Sequence, residues 1–145
     1  MTASVTAVLL DTCAVIWLAN GDPLHQDAVT RIVQAGLAGG IFVSTASAWE
    51  IGMPAKPRPG RGPSVQFAPD PKTWFARFAT GPGISVVDLT PSIAIDASWL
   101  PGDLHGDPGD RMIIATARHL RIPIVTRDSK IIAYAAAGHA EVIIC

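Results

Sequence analysis

The stretch DPGDRMIIATARHLRIPIVTRDSK, residues 107–130, reads as a helix, a strand and the start of another helix in direct succession. Asp107 before Pro108 is an N-cap followed by a proline at the first helical position, so a helix is expected over 109–120. The β-branched run IPIVT (122–126) suits a buried strand, and Asp128 before Ser129 can cap a further helix over 129–136. Working outward, the same texture returns: strands are expected at TAVLL (6–10), IFVS (41–44), ISVVDL (84–89) and EVIIC (141–145). The remaining helices are expected at 24–38, 45–53, 71–79 and 91–99, the last opened by a second cap-then-proline start at Thr90-Pro91. Short apolar strands alternating with helices produce an α/β fold in which helices flank a five-stranded, mostly parallel sheet.

At 145 residues the chain has the size of a single domain spanning 1–145. Hydrophobic residues make up 49% and charged residues 16%, enough to bury a core and too little net charge for disorder. A net charge of -1 announces neither a nucleic-acid binder nor a membrane-surface protein, so any such partner must meet a local patch. One patch stands out. Residues 54–71, PAKPRPGRGPSVQFAPDP, carry six prolines and two glycines, and Lys56, Arg58 and Arg61 concentrate positive charge there. An exposed loop is expected, with Pro54 stopping the preceding helix. Cys13 and Cys145 have no pairing or metal-ligand spacing, which favours a reducing, cytoplasmic setting. Residues 3–19 have no basic region before them and hold Asp11 at their centre, unlike a signal peptide, and no stretch is long enough for a membrane span.

Four of the twelve acids stand out by position: Asp11 ends the first strand, Glu50 follows the second, Asp110 opens a helix and Asp128 follows the fourth strand. In a right-handed βαβ unit the crossover helix starts at the edge where the strands end, so all four should meet at the carboxyl edge of the sheet. Each has an ordinary structural reading. Asp107 and Asp110 fit the cap and third position of one helix, Ser47 and Glu50 fit a capping box, and Asp128 fits a cap. Asp11, between apolar runs, is harder to explain, because a buried carboxylate without a partner is costly. Two carboxylates about 5 Å apart repel by roughly 3 kcal/mol at an effective dielectric of 20, so a cluster of four calls for a cation. Oxygen ligands select Mg²⁺ or Mn²⁺ over zinc, and His25, His105, His119 and His139 show no ligand spacing. A hard-metal carboxylate cluster with no phosphate-binding glycine loop suits phosphodiester hydrolysis. Thr126 and Thr12 can orient the acids through their hydroxyls, and Arg111, Arg127 and Lys130 can hold backbone phosphates, or simply be solvated.

LLDTCAVIWL, SAWEI, GDPGDRMIIATA and VTRDSKI, in this order, resemble the PIN-domain ribonucleases, and among them the VapC toxins of toxin–antitoxin pairs. The resemblance implies a PIN-like three-layer sandwich and a Mg²⁺- or Mn²⁺-dependent endoribonuclease acting on RNA. By motif position it puts the acidic site on Asp11, Glu50, Asp110 and Asp128, with Asp107 a further acid and Thr126 the hydroxyl beside the last one. It also implies a cognate antitoxin that covers the site and a homodimer, while the lack of a spanning stretch leaves no membrane partner expected. Trp17 and Trp49 lie near two of the acids and fit either an apolar antitoxin groove or core packing. Gly109 departs from the family, which often has a larger residue there, and a glycine is expected to loosen the first turn of its helix. A helix interrupted at Pro54 is the second departure.

Two other classes share the acidic edge. A receiver-like signalling domain also gathers acids and Mg²⁺ at strand ends, although it needs a lysine that EVIIC lacks. A non-catalytic binding module would keep the acids only to receive a partner's arginine.

Overall fold

The computed structural model describes residues 6–57, 59–60, 62, 65–104 and 106–145. Three buried residues form the central strand β1 (Val8–Leu10), and helix α1 (Thr12–Asn20) begins two residues beyond its end. Helix α2 (Gln26–Leu37) leads to β2 (Ile41–Ser44), which runs directly into α3 (Thr45–Ala55). After the Pro/Gly-rich loop come α4 (Pro71–Ala79), β3 (Ile84–Val87) and α5 (Pro91–Ser98). Helix α6 (Pro108–Leu120), β4 (Ile124–Thr126), α7 (Ser129–Ala136) and β5 (Val142–Ile144) complete the order.

All strand pairs in the sheet are parallel, in the order β3-β2-β1-β4-β5. Alternate side chains of a strand point to opposite faces, and this divides the core in two. Val8 and Leu10 pack with Val43, Val15, Ala28 and Ile32, under α1 and α2. Leu9 and Ile124 pack with Ile113, Ile114, Ile131 and Tyr134, under α6 and α7. Helix α5 docks on α6 through Ile93, Ala97 and Ala115. Helix, sheet and helix make the expected three layers. The chain extends the sheet to one side of β1 through β2 and β3, and to the other through β4 and β5. The carboxyl ends of β1 and β4 therefore flank the switch point at which parallel sheets bind ligands. A flavodoxin-like receiver would show the order 2-1-3-4-5, so this topology does not support the signalling reading.

The strands fall where the sequence places them, β2 at the expected bounds and the other four trimmed at their ends. Helix α1 is an addition. TCAVIWLA is apolar on all sides and continues the apolar run of β1 without a polar break, so periodicity does not separate the two. Asp11 as N-cap and Gly21, at φ 72, bound it. Pro54 does not stop α3 but lies inside its last turn, and Lys56 caps the end. The following loop is not wholly exposed, because Phe67 is buried and its ring meets Trp74 edge-on at 4.8 Å. Lys56 is exposed, while Arg58 and Arg61, like His105, lie outside the described residues. Among the described residues, no helix is long and apolar enough to cross a membrane.

Candidate active site

Four of the five acids owe their position to a helix start at the carboxyl edge of the sheet. Asp11 caps α1, its Oδ1 accepting from the Ala14 amide at 2.8 Å. Asp107 caps α6, accepting from the amide of Asp110, which stands in that helix's first turn. Asp128 caps α7, accepting from the amides of Lys130 and Ile131. The capping readings of Asp107 and Asp128 thus hold, and the same geometry turns these carboxyls toward the switch point. Glu50 is different. Its expected capping box with Ser47 does not form: Ser44 caps α3 by accepting from the Ala46 amide, which puts Ser47 and Glu50 inside the helix on one face. That face looks at α1, where the Thr12 hydroxyl donates to Glu50 Oε1 at 2.5 Å and stands 3.0 Å from the Ser47 hydroxyl.

Thr126 joins two of the acids. Its hydroxyl, fully buried at the end of β4, donates to Asp11 Oδ2 at 2.5 Å and accepts from the Asp128 amide at 3.0 Å. Asp11, only 6% exposed, therefore has a donor on each carboxylate oxygen. Across the crevice, Glu50, Asp107 and Asp110 bring one carboxylate oxygen each within 4.8 Å of one another. A concavity of about 140 Å³ connects the two groups, lined by Asp11, Thr12, Glu50, Asp110, Arg127 and Asp128 among others.

The electrostatics match this crowding. Burial pushes the Asp110 carboxyl up to about 7, and repulsion from Asp107, Asp128, Glu50 and Asp11 adds to the shift. Glu50 is also raised, chiefly by burial, against the opposing hydrogen bond from Thr12. Asp11 is raised by burial although Thr126 and the Ala14 amide both favour its charged form. Cys13, which lines the concavity without having been singled out in the sequence, has its thiol pushed up to about 11 by burial and by the acids around it. It stays protonated at neutral pH. Three or more oxygen donors in an electronegative crevice fit a hard divalent cation.

The basic residues divide. Arg127 lies at the crevice, its guanidinium 3.8 Å from the Trp17 ring centroid and its Nε donating to the Cys145 carbonyl at 3.0 Å. Trp17 is thus a platform for this arginine as well as a partner of the core. Lys130 is exposed on the first turn of α7. Arg111 does not face solvent as a free cation: it is half-buried, donating to the carbonyls of Ala97 and Leu104, so it straps α6 to α5 and the segment behind it. Trp49 is half exposed on α3 beside Glu50.

Two further residues belong to the site. Ser47 was visible only as a cap, although its spacing from Glu50 already places both on one helical face. Gly109 is buried at the start of α6, and a Cβ there would stand 2.3 Å from Glu50 Oε2. Its lack of a side chain makes room rather than merely loosening the turn.

The family model for the PIN domain matches residues 8–137. The chain belongs to the PIN-domain family. Within it, this PIN domain is 28% identical over 127 residues to Ribonuclease VapC22 of Mycobacterium tuberculosis, covering 88% of this chain and 91% of that protein. Its fold is shared with VapBC2 from Rickettsia felis, solved bound to a promoter DNA fragment: TM-score 0.61, 14% identity, 95% of this chain and 98% of the other. It is also shared with FitAcB from Neisseria gonorrhoeae, at TM-score 0.60 and 16% identity over 94% and 96% of the two chains.

Proposed function

We propose that this PIN domain is an endoribonuclease toxin that uses Mg²⁺ or Mn²⁺ to hydrolyse RNA phosphodiester bonds and is held inactive by a cognate antitoxin. The observation that carries the reading is the convergence of Glu50, Asp107 and Asp110 within 4.8 Å, facing Asp11 and Asp128 across the switch point of a PIN-domain sheet. The likeness to a ribonuclease over 88% of the chain supports the substrate class.

Asp11, Glu50, Asp110 and Asp128, with Asp107, would hold the cation. When bound it supplies charge neutralisation and Lewis acidity at the scissile phosphate. The chain's own groups do the positioning. Thr126 fixes the Asp11 carboxylate and the start of α7 through one hydroxyl, and Thr12 fixes Glu50. Arg127, held over the Trp17 ring, presents a preset charge to an RNA phosphate at the rim. Lys130 and the loop cations Lys56, Arg58 and Arg61 extend that contact. Arg111 serves the scaffold instead.

The half-exposed side chains of Trp49 and Met53 on α3, next to Glu50, offer the apolar ground on which an antitoxin segment would lie. Homodimer assembly and a cytoplasmic site of action complete the proposal. The test is cleavage of a mixed set of structured RNAs by antitoxin-free protein with Mg²⁺, with Mn²⁺ and with EDTA, alongside Asp11→Asn. Cutting that needs metal and disappears in the variant is expected. Cleavage by Asp11→Asn at the wild-type rate, or undiminished by EDTA, overturns the reading, and no cutting by folded protein under either metal favours a binding module.

A further inference from the structure

We infer that Gly109 is a positioning residue for Glu50: its missing side chain is the seat that lets the Glu50 carboxylate reach the first turn of α6 and join Asp107 and Asp110. The inference rests on the functional reading for its consequence and on the geometry for its substance. Glu50 is launched from α3, a different element from the one bearing the other two acids of the cluster. To close the gap it must lie against the backbone of α6. A Cβ built on Gly109 would meet Oε2 of Glu50 at 2.3 Å, Cδ at 2.5 Å and Cγ at 3.1 Å, all below or at the limit of tolerable contact. On its other side Glu50 is pinned by the Thr12 hydroxyl on Oε1. The carboxylate thus sits between a hydroxyl and a bare Cα, and the two together set its distance from Asp110.

The atoms that would clash belong to the far end of a flexible side chain, so an added methyl swings Glu50 aside without breaking the fold. Alanine is also the better helix former, so Gly109→Ala does not lower the stability of the helix itself. An effect on the site accompanied by an undamaged fold is the signature of positioning.

The experiment measures Mn²⁺ affinity by calorimetry for the wild type, Gly109→Ala, Glu50→Ala and the double variant, with metal-free thermal midpoints alongside. Weakening on the order of 10-fold is expected in Gly109→Ala, as for other changes that displace a ligand from outside, with a midpoint no lower than the wild type's. In the Glu50→Ala background the Gly109→Ala change should have no further effect. Equal affinity in Gly109→Ala and the wild type overturns the inference, as does an effect that persists undiminished without the Glu50 side chain. Should the wild type bind no Mn²⁺, the functional reading fails, and metal-free crystal structures then decide the positioning separately. A Glu50 carboxylate moved off Thr12 in Gly109→Ala upholds it, and one left in place refutes it.

Discussion

The two sides of the crevice are built on opposite principles. On the β1–β4 side, Asp11 is the most deeply buried acid of the site, and each of its oxygens has a hydrogen-bond donor. On the α3–α6 side, three carboxylates crowd within 4.8 Å, and Asp110 is driven up to about 7 by burial and by its neighbours. The first side is a carboxylate prepared and held by the scaffold. The second is a repulsive arrangement that a cation would relieve. A threonine hydroxyl holds one acid on each side, so it is the number of carboxylates gathered at one point, not the depth of burial, that distinguishes the two sides.

The largest effects are expected on activity and should ignore this distinction. Asp11→Asn and Asp110→Asn should each lower RNA cleavage by more than about 100-fold, since loss of a ligand should exceed the 10- to 100-fold cost of disturbing a ligand's support. Single-turnover cleavage rates check this. Stability should then separate the two sides. Thr126→Val removes the donor from Asp11 Oδ2 and the acceptor of the Asp128 amide. Leaving those buried groups unpaired should cost about 1–3 kcal/mol, read by urea unfolding. An unchanged midpoint would mean that Asp11 does not depend on its hydroxyl partner.

Asp110 should show itself in the pH dependence. Its folded-state value of about 7 lies above the ordinary 3.8, so between those limits the folded chain holds a proton that the unfolded chain has released. Metal-free stability should fall as pH rises through that window, and Asp110→Asn should flatten the dependence. Thermal melts from pH 5 to pH 8 in EDTA measure both. Smallest is Arg127→Ala, which loses the contact with Trp17, worth about 0.5–1 kcal/mol at exposed sites. If the arginine also meets phosphate, the salt slope of RNA binding should drop by about one.

Much of this was legible in the sequence. The five strands, six of the helices and the meeting of Asp11, Glu50, Asp110 and Asp128 at one edge follow from hydrophobic period, capping signals and the handedness of parallel crossovers. Helix α1 was hidden because an apolar strand passes into an apolar helix without a change of composition. Ser47 reads as a cap in the sequence because Ser44 offers an equivalent hydroxyl one turn earlier, and local pattern alone does not choose between them. Arg111 is not separable from Arg127 by spacing, since both donate to backbone carbonyls and only tertiary packing shows that one is half-buried against α5 while the other is exposed at the crevice. In the sequence Gly109 reads as a residue that weakens its helix, whereas its role lies in the space it leaves for a side chain 59 positions earlier in the chain.

The junction at Asp11 has a consequence for how such a chain can change over generations. Strand β1 ends at Leu10 and α1 starts at Thr12, so one residue is both the last contact with the sheet and the cap of the helix. Surface loops accommodate insertions and deletions with little penalty, but here there is no slack to absorb one. A single added residue would separate the carboxylate from Thr126 or shift the buried face of α1 by about 100°. Length variation among descendants of this chain should therefore accumulate in the 56–70 loop and be excluded from residues 8–15, where the reading frame of the fold is set.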